Sequence, residues 1–88
     1  MAKILLVEDE TDISELVSEW LAREHHVVEV ASSGEEALDI IRVYSFDVLI
    51  LDWVLPGISG VDVCRHYRSK GGRSPILMLT AKKDVDEK

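Results

Sequence analysis

Four short apolar runs, separated by segments of helical period, leave this chain few folds to choose from. The runs occupy residues 4–7, 27–30, 48–51 and 76–79. Three of them are apolar throughout instead of alternating. Strands buried on both faces read that way, as in a parallel sheet covered by helices on each side. The second run carries Glu29, which suits a position nearer a sheet edge. Alternation of strands and helices with short connections implies an open parallel α/β sheet with right-handed crossovers, in the order β-α-β-α-β-α-β.

The intervening segments supply the helices. Ile13, Leu16, Val17, Trp20 and Leu21 fall at i, i+3, i+4, i+7 and i+8, a single apolar stripe. Trp20 is read as part of the core, and Thr11 or Asp12 as the cap. Ser33 followed by Glu36 has the capping-box spacing and opens a second helix with Ala37, Leu38 and Ile41 inward. Ser59 with Asp62 repeats the pattern, and the third helix is expected to bury Val61, Cys64 and Tyr67. Gly71-Gly72 ends that helix and Pro75 leads into the last strand. Residues 81–88 are polar and read as a loop entering an incomplete helix. With 88 residues there is room for one domain, spanning 1–88.

Ligands of open α/β sheets bind beyond the carboxyl ends of the strands. Glu8 and Asp9 stand after the first strand, Asp52 after the third, and Thr80 and Ala81 after the fourth. Three carboxylates gathered at one end repel. At about 5 Å and an effective dielectric near 20, each pair costs on the order of 3 kcal/mol. A raised pKa or a bound cation must offset this. Mg²⁺ suits a few carboxylates, water and a phosphate oxygen. A strand-end carboxylate is also a competent nucleophile towards a phosphoryl group.

Charge and composition narrow the partners. Ten Lys+Arg against 17 Asp+Glu give a net charge of −7, which disfavours nucleic-acid phosphates and anionic membrane surfaces. The single cysteine, Cys64, excludes an internal disulfide and a cysteine-rich zinc site. Its place on a helix's inner face makes it a packing residue. No apolar run approaches the length of a membrane span, and the N-terminus does not read as a signal peptide. His25 and His26 fall in the turn at the opposite end of the sheet and read as solvated. Trp53, next to Asp52, either lines the site or only packs.

Residues 4–10 (ILLVEDE), 51–60 (LDWVLPGISG) and 75–81 (PILMLTA) resemble the receiver domain of bacterial two-component response regulators. The wording is closest to receivers that precede a winged-helix DNA-binding domain. The resemblance implies a doubly wound, flavodoxin-like (CheY-like) sheet of order 2-1-3-4, with the fifth strand and last helices of the family missing. It implies that Asp52 is the phosphoacceptor and that Glu8, Asp9, Asp52 and the backbone carbonyl of Val54 hold Mg²⁺. Thr80 would hydrogen-bond the aspartyl phosphate and report it by moving, and the backbone N–H of Ala81 would contact a phosphate oxygen. The implied partner is a sensor histidine kinase or phosphotransfer protein, in the cytoplasm. Any activity beyond phosphoacceptance would be at most autophosphatase. DNA binding would belong to an output domain and not to this segment.

Two other readings compete. A phosphatase of the haloacid-dehalogenase kind also uses a strand-end Asp and Mg²⁺, but its chemistry wants a second Asp two residues on, where this chain has Val54. A receiver fragment serving only as a protein-interaction module is the alternative. In the family order an unpaired fourth strand would expose an apolar edge, so self-association or segment exchange through strand four is expected.

Overall fold

The computed structural model describes residues 1–79, and Thr80 to Lys88 lie outside the described residues. Its elements are β1 (Lys3–Val7), α1 (Thr11–Arg23), β2 (Val27–Ala31), α2 (Gly34–Val43), β3 (Val48–Asp52), α3 (Gly60–Ser69) and β4 (Ile76–Leu79). All pairings are parallel and the sheet order is β2-β1-β3-β4, as expected. Leu5 pairs with Glu29 on one side and Leu49 on the other, and Leu49 pairs in turn with Ile76.

The continuous apolar runs follow from this order. β1 and β3 are flanked by strands and covered on both faces. Leu5, Val7, Leu49 and Leu51 face α2 and α3, in a core completed by Ala31, Ala37, Phe46, Leu55 and Val63. Ile4, Leu6 and Ile50 face the other way, where Val17 and Leu21 of α1 pack on them. Burying a Leu or Ile side chain contributes about 1.5–3 kcal/mol, so these two strands dominate stability. β2 is an outer strand with Val27 and Val30 exposed, which accounts for Glu29.

Helix ends and faces depart from expectation at several points. The N-cap of α1 is Glu10, not Thr11 or Asp12, and no side chain caps it. Trp20 is not core: it is 68% exposed and Leu16 67%, while Val17 and Leu21 point inward. A five-residue stripe is wider than the strip of sheet beneath α1. In α3 the fully buried residue is Val63, whereas Val61 is only partly covered; Cys64 and Tyr67 pack as expected. The two Ser caps hold: Ser33 Oγ accepts from Glu36 N–H and Ser59 Oγ from Asp62 N–H, both at 3.1 Å. The Glu36 carboxylate reaches past Ser33 to the backbone N–H of Ser32 at 2.8 Å. His26 is not merely solvated, because its Nδ1 accepts the Ala2 N–H at 3.0 Å and so ties down the start of β1. Gly71, at φ 89°, ends α3 in the left-handed region that favours glycine.

Candidate functional site

The sheet order places β1 between β2 and β3, so the connection from β1 leaves to one side and that from β2 crosses to the other. Such a switch point opens a crevice at the carboxyl ends of the two central strands. Glu8 extends the β1 ladder by one residue, donating its N–H to Ala31 O at 2.9 Å. Asp9 follows it into solvent, and Asp52 is the last residue of β3. One carboxylate oxygen from each of Glu8, Asp9 and Asp52 lies within 4.8 Å of the others. The structure therefore brings together the three acids that the sequence singled out.

Their environments differ. Glu8 is 4% exposed, Asp52 half-buried and Asp9 exposed. Burial pushes the Glu8 carboxyl above the usual range, and the charges of Asp52 and Asp9 add to this; a hydrogen bond from the Glu10 N–H at 3.1 Å works against it. A buried acid facing two further acids lacks a positive charge. Hard oxygen donors at this spacing fit a small divalent cation. The donor set thus accommodates Mg²⁺ in chemistry and charge.

Asp52 is held from both sides. Its Oδ1 accepts the Val54 N–H at 3.2 Å, which folds the chain tightly after the strand and keeps Val54 backbone beside the carboxylate. On the other side Asp52 is the register partner of Leu79, and the Trp53 N–H donates to Leu79 O at 2.9 Å. Thr80 and Ala81, the remaining candidates, lie outside the described residues; Thr80 directly follows that register partner in sequence. Trp53 is half exposed, and Leu55 is buried, anchoring the loop.

One contributor escaped the sequence reading. A Cβ on Gly60 would lie 2.2 Å from the backbone oxygen of Asp52 and 3.2 Å from Trp53 Cα. Gly60 also donates its N–H to Trp53 O at 3.0 Å. The first turn of α3 therefore sits directly on the backbone that carries Asp52, an approach open only to glycine. A glycine straight after a capping serine was the signal available.

No helix among the described residues is long and apolar enough to cross a membrane. Residues 4–88 match the family described as response regulator receiver domain. Response regulator RppA of Synechocystis is 41% identical over 81 residues, covering 90% of this chain and 35% of that protein. The chain thus spans about a third of the length of that curated relative. Among solved structures, the response regulator TrrA of Thermotoga maritima, in complex with Mg²⁺ and BeF, superposes with a TM-score of 0.89 at 41% identity, covering 94% of this chain and 72% of that one. A second structure, of the histidine kinase ThkA in complex with TrrA, gives a TM-score of 0.86 at 40% identity over 98% of this chain and 76% of that chain.

Proposed function

The chain belongs to the response regulator receiver domain family, and from that premise we propose that it accepts a phosphoryl group on Asp52 from a sensor histidine kinase or phosphotransfer protein. The observation that carries this is the convergence of Glu8, Asp9 and Asp52 at the switch point of the sheet. Glu8, Asp9, Asp52 and the Val54 carbonyl would hold Mg²⁺. When bound, the ion supplies neutralisation of the charge on the phosphoryl oxygens and on the acids around them.

The chain's own part is nucleophile and positioning. A carboxylate oxygen of Asp52 attacks phosphorus in the donor's phosphohistidine. The O–P bond forms as the P–N bond breaks, and the imidazole leaves with the electron pair and takes up a proton. Water later cleaves the acyl phosphate, restoring the carboxylate and releasing inorganic phosphate. The Val54 N–H orients the nucleophile, and Gly60 lets α3 brace the strand end behind it. The Thr80 hydroxyl and Ala81 N–H would contact the phosphoryl oxygens, with movement of Thr80 as the signal. Switching of an output, including transcription, and a cytoplasmic setting belong to the same proposal.

The test is incubation with Mg²⁺ and acetyl phosphate, followed by intact mass. One added phosphoryl group, removed by hydroxylamine and absent in Asp52→Asn, is expected. The same assay on a longer protein containing this segment separates failure of the site from failure of the 88-residue chain alone. A hydroxylamine-resistant label, or a label retained by Asp52→Asn, overturns the assignment, as does absence of label in both proteins.

A further inference from the structure

At the end of the sheet remote from the acids, α2 and α3 part. Near their N-termini they touch closely: a Cβ on Gly34 would lie 2.9 Å from Val63 Cγ2 and 2.5 Å from Ile58 Cγ1. Toward their C-termini a wedge opens between them, with a cavity volume of about 880 Å³. That lies within the range of small-molecule sites, about 300–1,000 Å³. Its apolar lining is Leu38, Ile41, Phe46, Leu49 and Tyr67, the same residues that form or cover the α2–α3 core. The floor is rigid: Ser74 N–H donates to the Tyr67 hydroxyl at 3.1 Å, and Ser74 Oγ donates to the Phe46 carbonyl.

The rim is basic. Lys70 and Arg73 supply the positive charge at the wide end, beside His66 and the Arg42–Asp39 pair. Asp39 shares that rim but is neutralised by Arg42 at 2.6 Å, and Glu35 sits at the α2 N-terminal end of the cleft. On a chain of net charge −7 this is a local reversal of sign. A slot with apolar walls and cations at its mouth is complementary to a flat apolar body carrying one anionic group.

We propose that the wedge between the C-terminal halves of α2 and α3 is a binding site for an amphipathic organic anion, an aromatic or fused-ring carboxylate or sulfonate. Its ring system lies on Leu38, Ile41 and Tyr67, and its acid group meets Lys70 and Arg73. This site is separate from the acidic crevice and does not depend on phosphorylation of Asp52.

The probe is 8-anilino-1-naphthalenesulfonate, titrated into the 88-residue chain and mapped by amide chemical shifts. Shifts centred on Phe46, Tyr67, Gly72 and Ser74 are expected. Lys70→Glu with Arg73→Glu, both exposed positions, should weaken binding about tenfold, the usual loss when a charged hydrogen-bond partner is removed. The uncharged analogue N-phenyl-1-naphthylamine should bind weaker by a similar factor. Shifts confined to the exposed apolar side chains Leu16, Trp20 and Leu77 overturn the proposal, and so does absence of any shift at millimolar probe. Equal binding of the two probes, or no effect of the double charge reversal in a variant with an unchanged amide spectrum, overturns the anionic half of it.

Discussion

Glu8 stands at a position where stability and function pull apart. The β1 ladder holds it in place, and its carboxylate is buried against Asp52 and Asp9. In the absence of a cation that arrangement is costly, because burial and two like charges both oppose ionisation. Glu8→Gln keeps the shape and removes the charge. Without divalent metal the variant should be more stable by on the order of 1 kcal/mol, about 4–8 °C in Tm for a domain of this size. With saturating Mg²⁺ the order should reverse. The wild-type chain gains about 2.7 kcal/mol at a hundredfold excess over Kd, and the variant gains much less. Calorimetry with and without Mg²⁺ reads both effects; equal Mg²⁺-induced shifts in the two proteins would remove Glu8 from the metal site.

Among the elements, α2 shows most clearly what a local signal can do. Ser33 caps it through the Glu36 N–H, and the Glu36 carboxylate accepts from both the N–H and the hydroxyl of Ser32. Ser33→Ala should cost about 1 kcal/mol in urea unfolding, the ordinary value of a helix cap. The hydrogen bonds from Ser32 hold the Glu36 carboxyl below its usual pKa. Its stabilising contribution is therefore complete above the unfolded carboxylate range and disappears as pH falls through the lowered folded value. Glu36→Gln should flatten the acid side of the stability profile, with a small cost at pH 7 that vanishes in acid; the cost is small because the group is exposed and well solvated. An unchanged acid slope between pH 5 and about 3 would remove Glu36 from the cap. By contrast α1 has no side-chain cap, and its position depends on Val17 and Leu21 packing on Ile4, Leu6 and Ile50.

At the scale of the molecule, the two faces of the sheet are covered unequally. Among the described residues α2 and α3 close one face, whereas on the other α1 packs on β1, β2 and Ile50 of β3. Ser14 and Ser18 of α1 line a groove with Val30 of β2. On this face of the sheet Leu16 and Trp20 of α1 are exposed, and so is Leu77 of β4, at 55%. Among the described residues β4 is also an outer strand. An apolar patch beside an open strand edge favours association. Sedimentation of the 88-residue chain at several concentrations should show mass rising with concentration, and Trp20→Glu with Leu77→Glu should return it to 9.9 kDa. A single monomeric species up to high micromolar concentration, with native near-UV dichroism, would contradict this.

The order of elements, the parallel sheet and the three acids were legible in the chain, because each is written in a short window. A run such as 48–51 can satisfy its apolar side chains only between two layers, and an acid directly after it falls at the strand's carboxyl end. The Ser33 and Ser59 caps are equally local. What needed the tertiary structure was every question of which side a neighbour occupies. Trp20 and Leu16 have core periodicity, yet α1 turns Val17 and Leu21 to the sheet, and the packing of whole elements decides which part of a stripe is covered. Val63 is buried and Val61 less so: two positions apart they lie on nearly opposite sides of α3, and only the packing decides which side meets the sheet. Gly60 matters through close approach to the backbone of Asp52 across the intervening loop, and His26 through Ala2. Periodicity specifies a face; only the assembled layers specify what lies against it.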